Sequence, residues 1–311
     1  MQQAIVPLAM RLAIELALLG LLACVWGSSY LFIKLAVASI PPVSLIAMRV
    51  AIAALFLLAV MWIQRERLPK DAATWRMLLV QAFFNSIASW TLLAWGQQYV
   101  DSGLAGVLTS TSPIFVFLIT LLMTRHEAVT RWKLTGAVLG VAGVVLIMGT
   151  HAFGGFGREV AAQSALLLGA FLYGCGAIHG KRLAHLSPAV ASAGTMIWAT
   201  LWLVPLSLIV DRPWALKPST TSLVAAMILA ILCTGCGLIL YFRVLRTLGS
   251  MGVASQSYLR AGVSVLLGAI VLDEHLAPVV GLGLLIIILG VTAINVPGFA
   301  SIKGHQSGER A

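Results

Sequence analysis

The chain has 311 residues, 60% of them hydrophobic and 10% charged, with a mean hydropathy of +1.01. A soluble protein of this length cannot bury that much apolar surface, whereas lipid can solvate it, so composition excludes an ordinary globular protein and points to a bilayer. The formal net charge of +10 would fit a nucleic-acid partner, but the placement of the cations assigns it elsewhere.

Ten apolar stretches follow one another, near 12–33, 43–63, 77–97, 104–123, 132–149, 161–180, 190–210, 222–242, 253–272 and 278–296. Each approaches the ~20 residues a membrane-crossing helix needs. Polar or helix-breaking residues separate them, among them Pro41-Pro42, the run from Arg65 to Asp71, Asp101-Ser102-Gly103 and the glycine loop from His151 to Gly157. The first stretch is too long for the apolar region of a cleavable signal and lacks a small-residue cleavage site.

One register relates the two halves. An offset of 147 residues places Gly27 on Gly174, Lys34 on Lys181, Pro41 on Pro188, Glu127 on Glu274, Gly136 on Gly283 and Gly143 on Gly290, with Trp26 over Tyr173. The matches fall on Gly, Pro, Lys and Glu, within an interchangeable Leu/Ala/Val background. Two copies are therefore expected, 1–150 and 151–311, each with five helices. Five is odd, so the second copy inserts upside down, an arrangement typical of secondary transporters. The cations fit this topology. With both termini in the cytoplasm, fourteen of the twenty Lys and Arg residues fall in inside segments and four (Lys34, Arg158, Arg212 and Lys217) outside, leaving Arg49 and Arg260 within spans. This is the positive-inside pattern; it accounts for the high charge through topology and anionic lipid, with no nucleic acid. The fold class expected is an all-α integral membrane protein of ten transmembrane helices in two inverted repeats.

Other chemistry finds little support. Cys233 and Cys236 form a CxxC inside an apolar span with no second ligand pair, and read as packing residues rather than a metal site. Gly180-Lys181 lacks the remaining residues of a phosphate loop. No paired carboxylates or nucleophile–base pair stand at mid-span, so neither an enzyme nor a cofactor is expected.

Trp26-Gly27-Ser28-Ser29 before Lys34, Arg49 in the second span, Ser112-Pro113 followed by Glu127, and Gly136 with Gly143 form an ordered set, repeated in part by Tyr173-Gly174, Tyr258-Leu259, Gly268 and Glu274. This set resembles the EamA-type branch of the drug/metabolite transporter superfamily over residues 12 to 296. Within it, the chain looks most like the aromatic amino-acid exporters. The resemblance implies ten helices in two inverted repeats, a central substrate cavity, a bacterial inner-membrane location and export of small metabolites, commonly amino acids. One departure stands out: the family usually carries a proline after Tyr-Leu-X in the ninth span, where this chain has Ala261.

Polar groups inside spans are costly and usually face a cavity. Arg260, about seven residues into the ninth span, offers a planar fork for a substrate carboxylate, although snorkelling or bonding to helix-end carbonyls would also explain it. Arg49 leans to a structural or gating role. Gln81, Asn85 and Ser89 fall at i, i+4 and i+8, one polar stripe that suits a cavity wall or inter-helix hydrogen bonds. Thr109 to Ser112 precedes Pro113 and matches Gln256 to Leu259 by register, a pair of polar segments fit for a mid-membrane site. Trp26, Trp90, Tyr173 and Tyr258 are the aromatics expected around substrate, and Glu127 and Glu274 read as ties between helices. Every acidic residue is near a span end, so facilitated efflux is favoured over a proton relay. The function expected is alternating-access export of amino acids with aromatic or hydrophobic side chains. A sugar-phosphate or nucleotide-sugar exchanger is the alternative; it would need several cations converging on phosphate, and only Arg49 and Arg260 are candidates. Lipid and a small-molecule substrate are the partners expected; the Gly136–Gly140 GxxxG is open to packing within or between chains.

Overall fold

The computed structural model describes residues 8–123, 131–152, 157–275 and 277–307, where the regular structure is helical throughout. Seven helical spans are long and apolar enough to cross a membrane: Ala13–Val37, Pro42–Ile63, Ala72–Gly96, Ser102–Leu122, Arg158–Leu183, Pro188–Val210 and Thr220–Gly249. Shorter apolar helical stretches, Val138–Ile147, Gln256–Val271 and Pro278–Gly290, fall at the fifth, ninth and tenth expected positions.

Helix α1 runs Leu8–Val37 and α2 Pro42–Ile63. Pro42 opens α2, where its missing N–H costs nothing. Asp211, just past the end of α9 (Pro188–Val210), accepts from Ser44 N at 2.7 Å and Ser44 Oγ at 2.9 Å near the start of α2. Reciprocally, Glu66 beyond α2 accepts from Ser187 Oγ at 2.6 Å at the start of α9. Each member of this packed pair is thus fastened by a carboxylate beyond the end of the other.

The third span is interrupted. Helix α3 (Ala72–Ala82), capped by Asp71 accepting from Thr74 N at 2.7 Å, passes into a π turn at Phe83–Ile87 and resumes as α4 (Ala88–Gly96). The eighth span does the same: α10 (Thr220–Ile228), a π segment at Leu229–Cys236, then α11 (Gly237–Val271). Shifted by 147 residues, the first π turn lands inside the second. Helix α11 bends at Gly249, whose φ of +74° and ψ of −177° lie where only glycine sits without strain. By the same offset this bend falls on Ser102, the start of α5 (Ser102–Thr109), which follows α4 after a short turn.

After α5 the chain breaks at Ser110-Thr111 and restarts as α6 (Ser112–Met123). Helix α7 (Arg131–Ala152) packs against α12 (Pro278–Ser307), and α8 (Arg158–Gly180) lies between α4 and α6. The repeated glycines explain how closely α7 and α12 approach. A Cβ on Gly143 would lie 2.8 Å from Gly283 O, one on Gly283 3.0 Å from Gly143 O, and one on Gly290 2.6 Å from Gly136 O. These reciprocal contacts are those of two antiparallel helices related by a two-fold axis. Helix α1 packs on α10 and α11, and α2 on α9, so helices of one half find their main neighbours in the other. Large apolar side chains such as Leu55, Trp62, Ile209 and Ile270 are exposed on the outside of the bundle, as lipid contact requires.

Candidate functional site

Three motifs of the sequence converge at the middle of the bundle. Gly27 and Gly174 bring α1 and α8 close to the interrupted spans: a Cβ on Gly27 would lie 2.6 Å from Val263 Cβ and 3.0 Å from Arg260 O, and one on Gly174 3.3 Å from Val116 N. Val263 and Val116 are themselves 147 residues apart, so the two approaches are equivalent. Trp26 and Tyr173, one residue before each glycine, both line a narrow central cavity.

The cavity has two halves that share Trp26, Tyr173 and Arg260. One, with about 310 Å³ of empty space, is walled by Asn85, Ser112, Tyr241, Gln256 and Ser257 as well. The other, with about 280 Å³, adds Ser29, Tyr30, Arg49, Trp90 and Leu93. Each half leaves room for little more than a water, so entry of a metabolite requires the spans to part.

Arg260 is 3% exposed, and burying a guanidinium costs several kcal/mol, on the order of what good partners can return. Its Nη2 donates to Thr109 O at 3.2 Å. That carbonyl is available because the residue four further on is Pro113, which has no N–H to give it. The end of α5 also presents the negative pole of a short helix. Thr109 Oγ1, meanwhile, bonds Tyr30 Oη. The rings of Tyr173 and Tyr30 lie 5.4 and 5.8 Å from the Arg260 guanidinium carbon. Among the described residues, Arg260 Nε and Gln256 Oε1 have no partner. Ser112 Oγ and Ser257 Oγ are 3.0 Å apart, tying the two polar segments together across the bundle.

Arg49, also 3% exposed, stacks over Trp90 with its guanidinium carbon 3.8 Å from the ring centre. A desolvated contact of this kind contributes ~2 kcal/mol or more. Its Nε donates to Thr234 Oγ1 at 2.6 Å. The π segment makes this contact: Thr234 turns its own hydroxyl onto Leu229 O, five residues back, and Cys233 O is left to accept from Trp26 Nε1 at 3.0 Å. Trp26 also stacks on Tyr241, 5.2 Å between centroids. A wider turn in the eighth span thereby positions one cation and one aromatic of the cavity.

Six of the candidate substrate residues, Arg260, Trp26, Trp90, Asn85, Tyr173 and Ser112, line this space, together with Arg49. Gln81 and Tyr258 lie off it. The Gln81 side chain is buried beside Gly180, and Tyr258 packs with Ile114 and Phe117. Pro113 sits in the break that frees Thr109 O. Glu274 accepts from Ser102 N at 2.8 Å, Ser102 Oγ at 2.9 Å and Gly103 N at 3.0 Å, closing the start of α5. Glu127 lies outside the described residues. Thr234 and Tyr30 join the site without having been singled out, and Gln256 joins it from the polar segment matched by register. Tyr30 carried a signal, four residues after Trp26 on the same helix face; Thr234 carried none, because nothing marks the π segment.

The EamA-like transporter family model matches residues 14–149 and again 161–296. The chain belongs to the EamA-like transporter family. Its relatives include the uncharacterized inner membrane transporter YedA of Escherichia coli K12, 24% identical over 272 residues, 88% of this chain and 87% of that one. The uncharacterized transporter YoaV of Bacillus subtilis is 22% identical over 86% of this chain and 91% of its own length. A probable amino-acid metabolite efflux pump of Escherichia coli K12 is 27% identical over 93% and 96%. A solved crystal structure shares the fold, with a TM-score of 0.66 at 18% identity over 90% of this chain and 96% of that one. This EamA-like chain is therefore a transporter, a multi-pass protein of the bacterial inner membrane.

Proposed function

We propose that this EamA-like protein exports amino acids with aromatic or hydrophobic side chains by alternating access around the central cavity. Arg260 anchors the substrate carboxylate, and Trp26, Tyr173 and Trp90 enclose the side chain. The observation that carries this reading is the state of Arg260: buried in the lining of the central cavity and, among the described residues, held by one backbone carbonyl with Nε unpaired. A bidentate carboxylate would complete it. Ten crossings in two inverted units, 1–150 and 151–311, with both termini cytoplasmic, complete the reading. The two family matches, offset by 147 residues, and the reciprocal glycine contacts of α7 and α12 support it. The face carrying Glu274 and Ser102 is then the outer one, and their hydrogen bonds hold it shut. The efflux-pump relative supports an amino-acid cargo.

The test is flux of radiolabelled phenylalanine across liposomes holding the purified protein. Saturable, protein-dependent flux that unlabelled amino acids suppress is expected, with Arg260→Ala abolishing it in a folded protein. No flux above empty liposomes, with or without a pH gradient, removes the amino-acid reading. Because Arg49 and Arg260 line the same half of the cavity, a sugar-phosphate exchanger is the second reading; suppression by sugar phosphates and an absolute need for counter-substrate would establish it instead.

A further inference from the structure

The central cavity carries two guanidiniums and, among the described residues that line it, no carboxylate. The ten acidic residues all sit in loops, near span ends or in the terminal segment. Within the described residues, Glu274 is spent on the start of α5, Asp211 on Ser44, Glu66 on Ser187 and Glu15 on Arg243 and Thr247. Nothing there neutralises Arg49 or Arg260. Their neighbours are aromatic faces, one hydroxyl and one carbonyl, which soften the charge and leave it in place.

This imbalance discriminates between ligands that share a carboxylate. The ammonium of a free amino acid would enter a low-dielectric space beside two cations. Thr109 O, the backbone acceptor at that point, already serves Arg260, and the unpaired acceptors among the described lining residues are both neutral, the amide oxygen of Gln256 and the hydroxyl of Tyr241. A ligand whose amine is acylated, or replaced by a ketone, keeps the carboxylate for Arg260 and the apolar body for Trp26 and Tyr173. It brings no positive charge, and its carbonyl oxygen suits a free guanidinium N–H.

We propose, building on the exporter reading, that the cavity selects net-anionic derivatives over the zwitterion. The class is N-acyl amino acids and 2-oxo acids with aromatic or apolar side chains, and the membrane potential drives them out. An anion leaving an inside-negative cell moves down the field, and each 100 mV favours a single charge by about fifty-fold. Export then needs no proton relay, in keeping with spans that carry no mid-membrane carboxylate.

The experiment uses full-length protein in liposomes with a potassium-diffusion potential and protein-free liposomes subtracted. Radiolabelled phenylalanine and N-acetylphenylalanine are compared, with phenethylamine as competitor. The expected result is saturable N-acetylphenylalanine flux with an apparent affinity at least ~10-fold tighter than for phenylalanine. The flux should rise several-fold when the compartment it leaves is negative, and phenethylamine should not compete. Arg49→Leu should narrow the preference several-fold and Arg49→Lys should retain it; should either variant not fold, the wild-type comparison decides alone. Phenylalanine carried as well as its acetyl derivative, with no response to potential, overturns the anion selectivity and leaves the exporter reading standing. Saturable flux of neither compound overturns the exporter reading itself.

Discussion

Arg260 Nη2 donates to Thr109 O at 3.2 Å, the carbonyl that Pro113 leaves without its helical donor. By the 147-residue offset, Arg260 occupies the position of Pro113 in the other half. One half removes a backbone donor, and the equivalent residue of the other supplies it from a side chain. The break between α5 and α6 therefore does more than bend a helix: it aims a carbonyl at the cation that the cavity is built around.

Pro113→Ala tests this relation. Alanine restores an N–H able to reach Thr109 O, and one more backbone hydrogen bond joining α5 to α6 contributes ~0.5–1.5 kcal/mol. The variant is expected to melt higher than the parent in detergent and to transport more slowly, because Arg260 loses its acceptor. Higher stability with unchanged flux would separate the carbonyl from transport.

A second expectation concerns Thr234, reached by Arg49 Nε at 2.6 Å. Thr234→Val keeps the shape and removes the acceptor, stranding a buried guanidinium N–H. Hydrogen bonds to charged groups contribute ~1.5–3 kcal/mol, so the variant should lose several degrees of apparent melting temperature while Thr234→Ser stays near the parent. Equal melting of all three would show that the Arg49 contact adds nothing to stability.

These contacts mark the limit of what sequence could reveal. Arg260 and Arg49 stood out because charge is rare in apolar spans, and Pro113 because its chemistry is fixed. The glycines stood out because they repeat, though only the structure ties Gly143 to Gly283 and Gly136 to Gly290. The π turns left no trace: Phe83–Ile87 and Leu229–Cys236 read as ordinary apolar helix. Reading 3.6 residues per turn through Phe83–Ile87 put Gln81, Asn85 and Ser89 on one stripe. All three are buried: Gln81 rests beside Gly180 and Asn85 beside Gly176, one turn apart on α8, while Asn85 also lines the cavity and Ser89 bonds back to Phe84 O across the wider turn. Tyr258 is expected near substrate as a span aromatic of the Tyr258-Leu259 motif, but it stands two residues before Arg260, a step that turns a helical side chain ~200° away. Thr234 lay inside the second π segment and was invisible for the same reason.

Glycine packing between α7 and α12 makes a sharper stability forecast. A Cβ at residue 290 would lie 2.6 Å from Gly136 O and 2.8 Å from Gly140 N, both backbone atoms that no rotamer change can move. Gly290→Ala should separate the helices and cost ~1–3 kcal/mol, read as a lower melting temperature. Gly20→Ala is the contrast: a Cβ there meets nothing within 4 Å, and a helical Gly→Ala exchange favours the fold by up to ~1 kcal/mol. Opposite signs are expected; equal losses would point to glycine itself rather than the close approach.

Two carboxylates at helix starts should respond to acid in opposite directions. Hydrogen bonds from Thr74 hold the exposed Asp71 carboxyl below its ordinary value of 3.8. Its contribution to stability is therefore complete above that value and disappears as pH falls through the lower, folded-state value. Asp101 is raised, first by burial and then by the negative charge of Glu274, with Lys34 pulling the other way. Its protonated form is the one the fold prefers, so the stability it contributes is full below 3.8 and is lost as pH climbs through the raised value. Melting curves of the parent, Asp71→Asn and Asp101→Asn between about pH 3 and 7 would resolve the two. Asp71→Asn should flatten the acid loss, and Asp101→Asn should raise stability toward neutral pH with little effect at the acid end. Lower stability of Asp101→Asn at neutral pH would mean that its attraction to Lys34 outweighs both burial and the repulsion from Glu274.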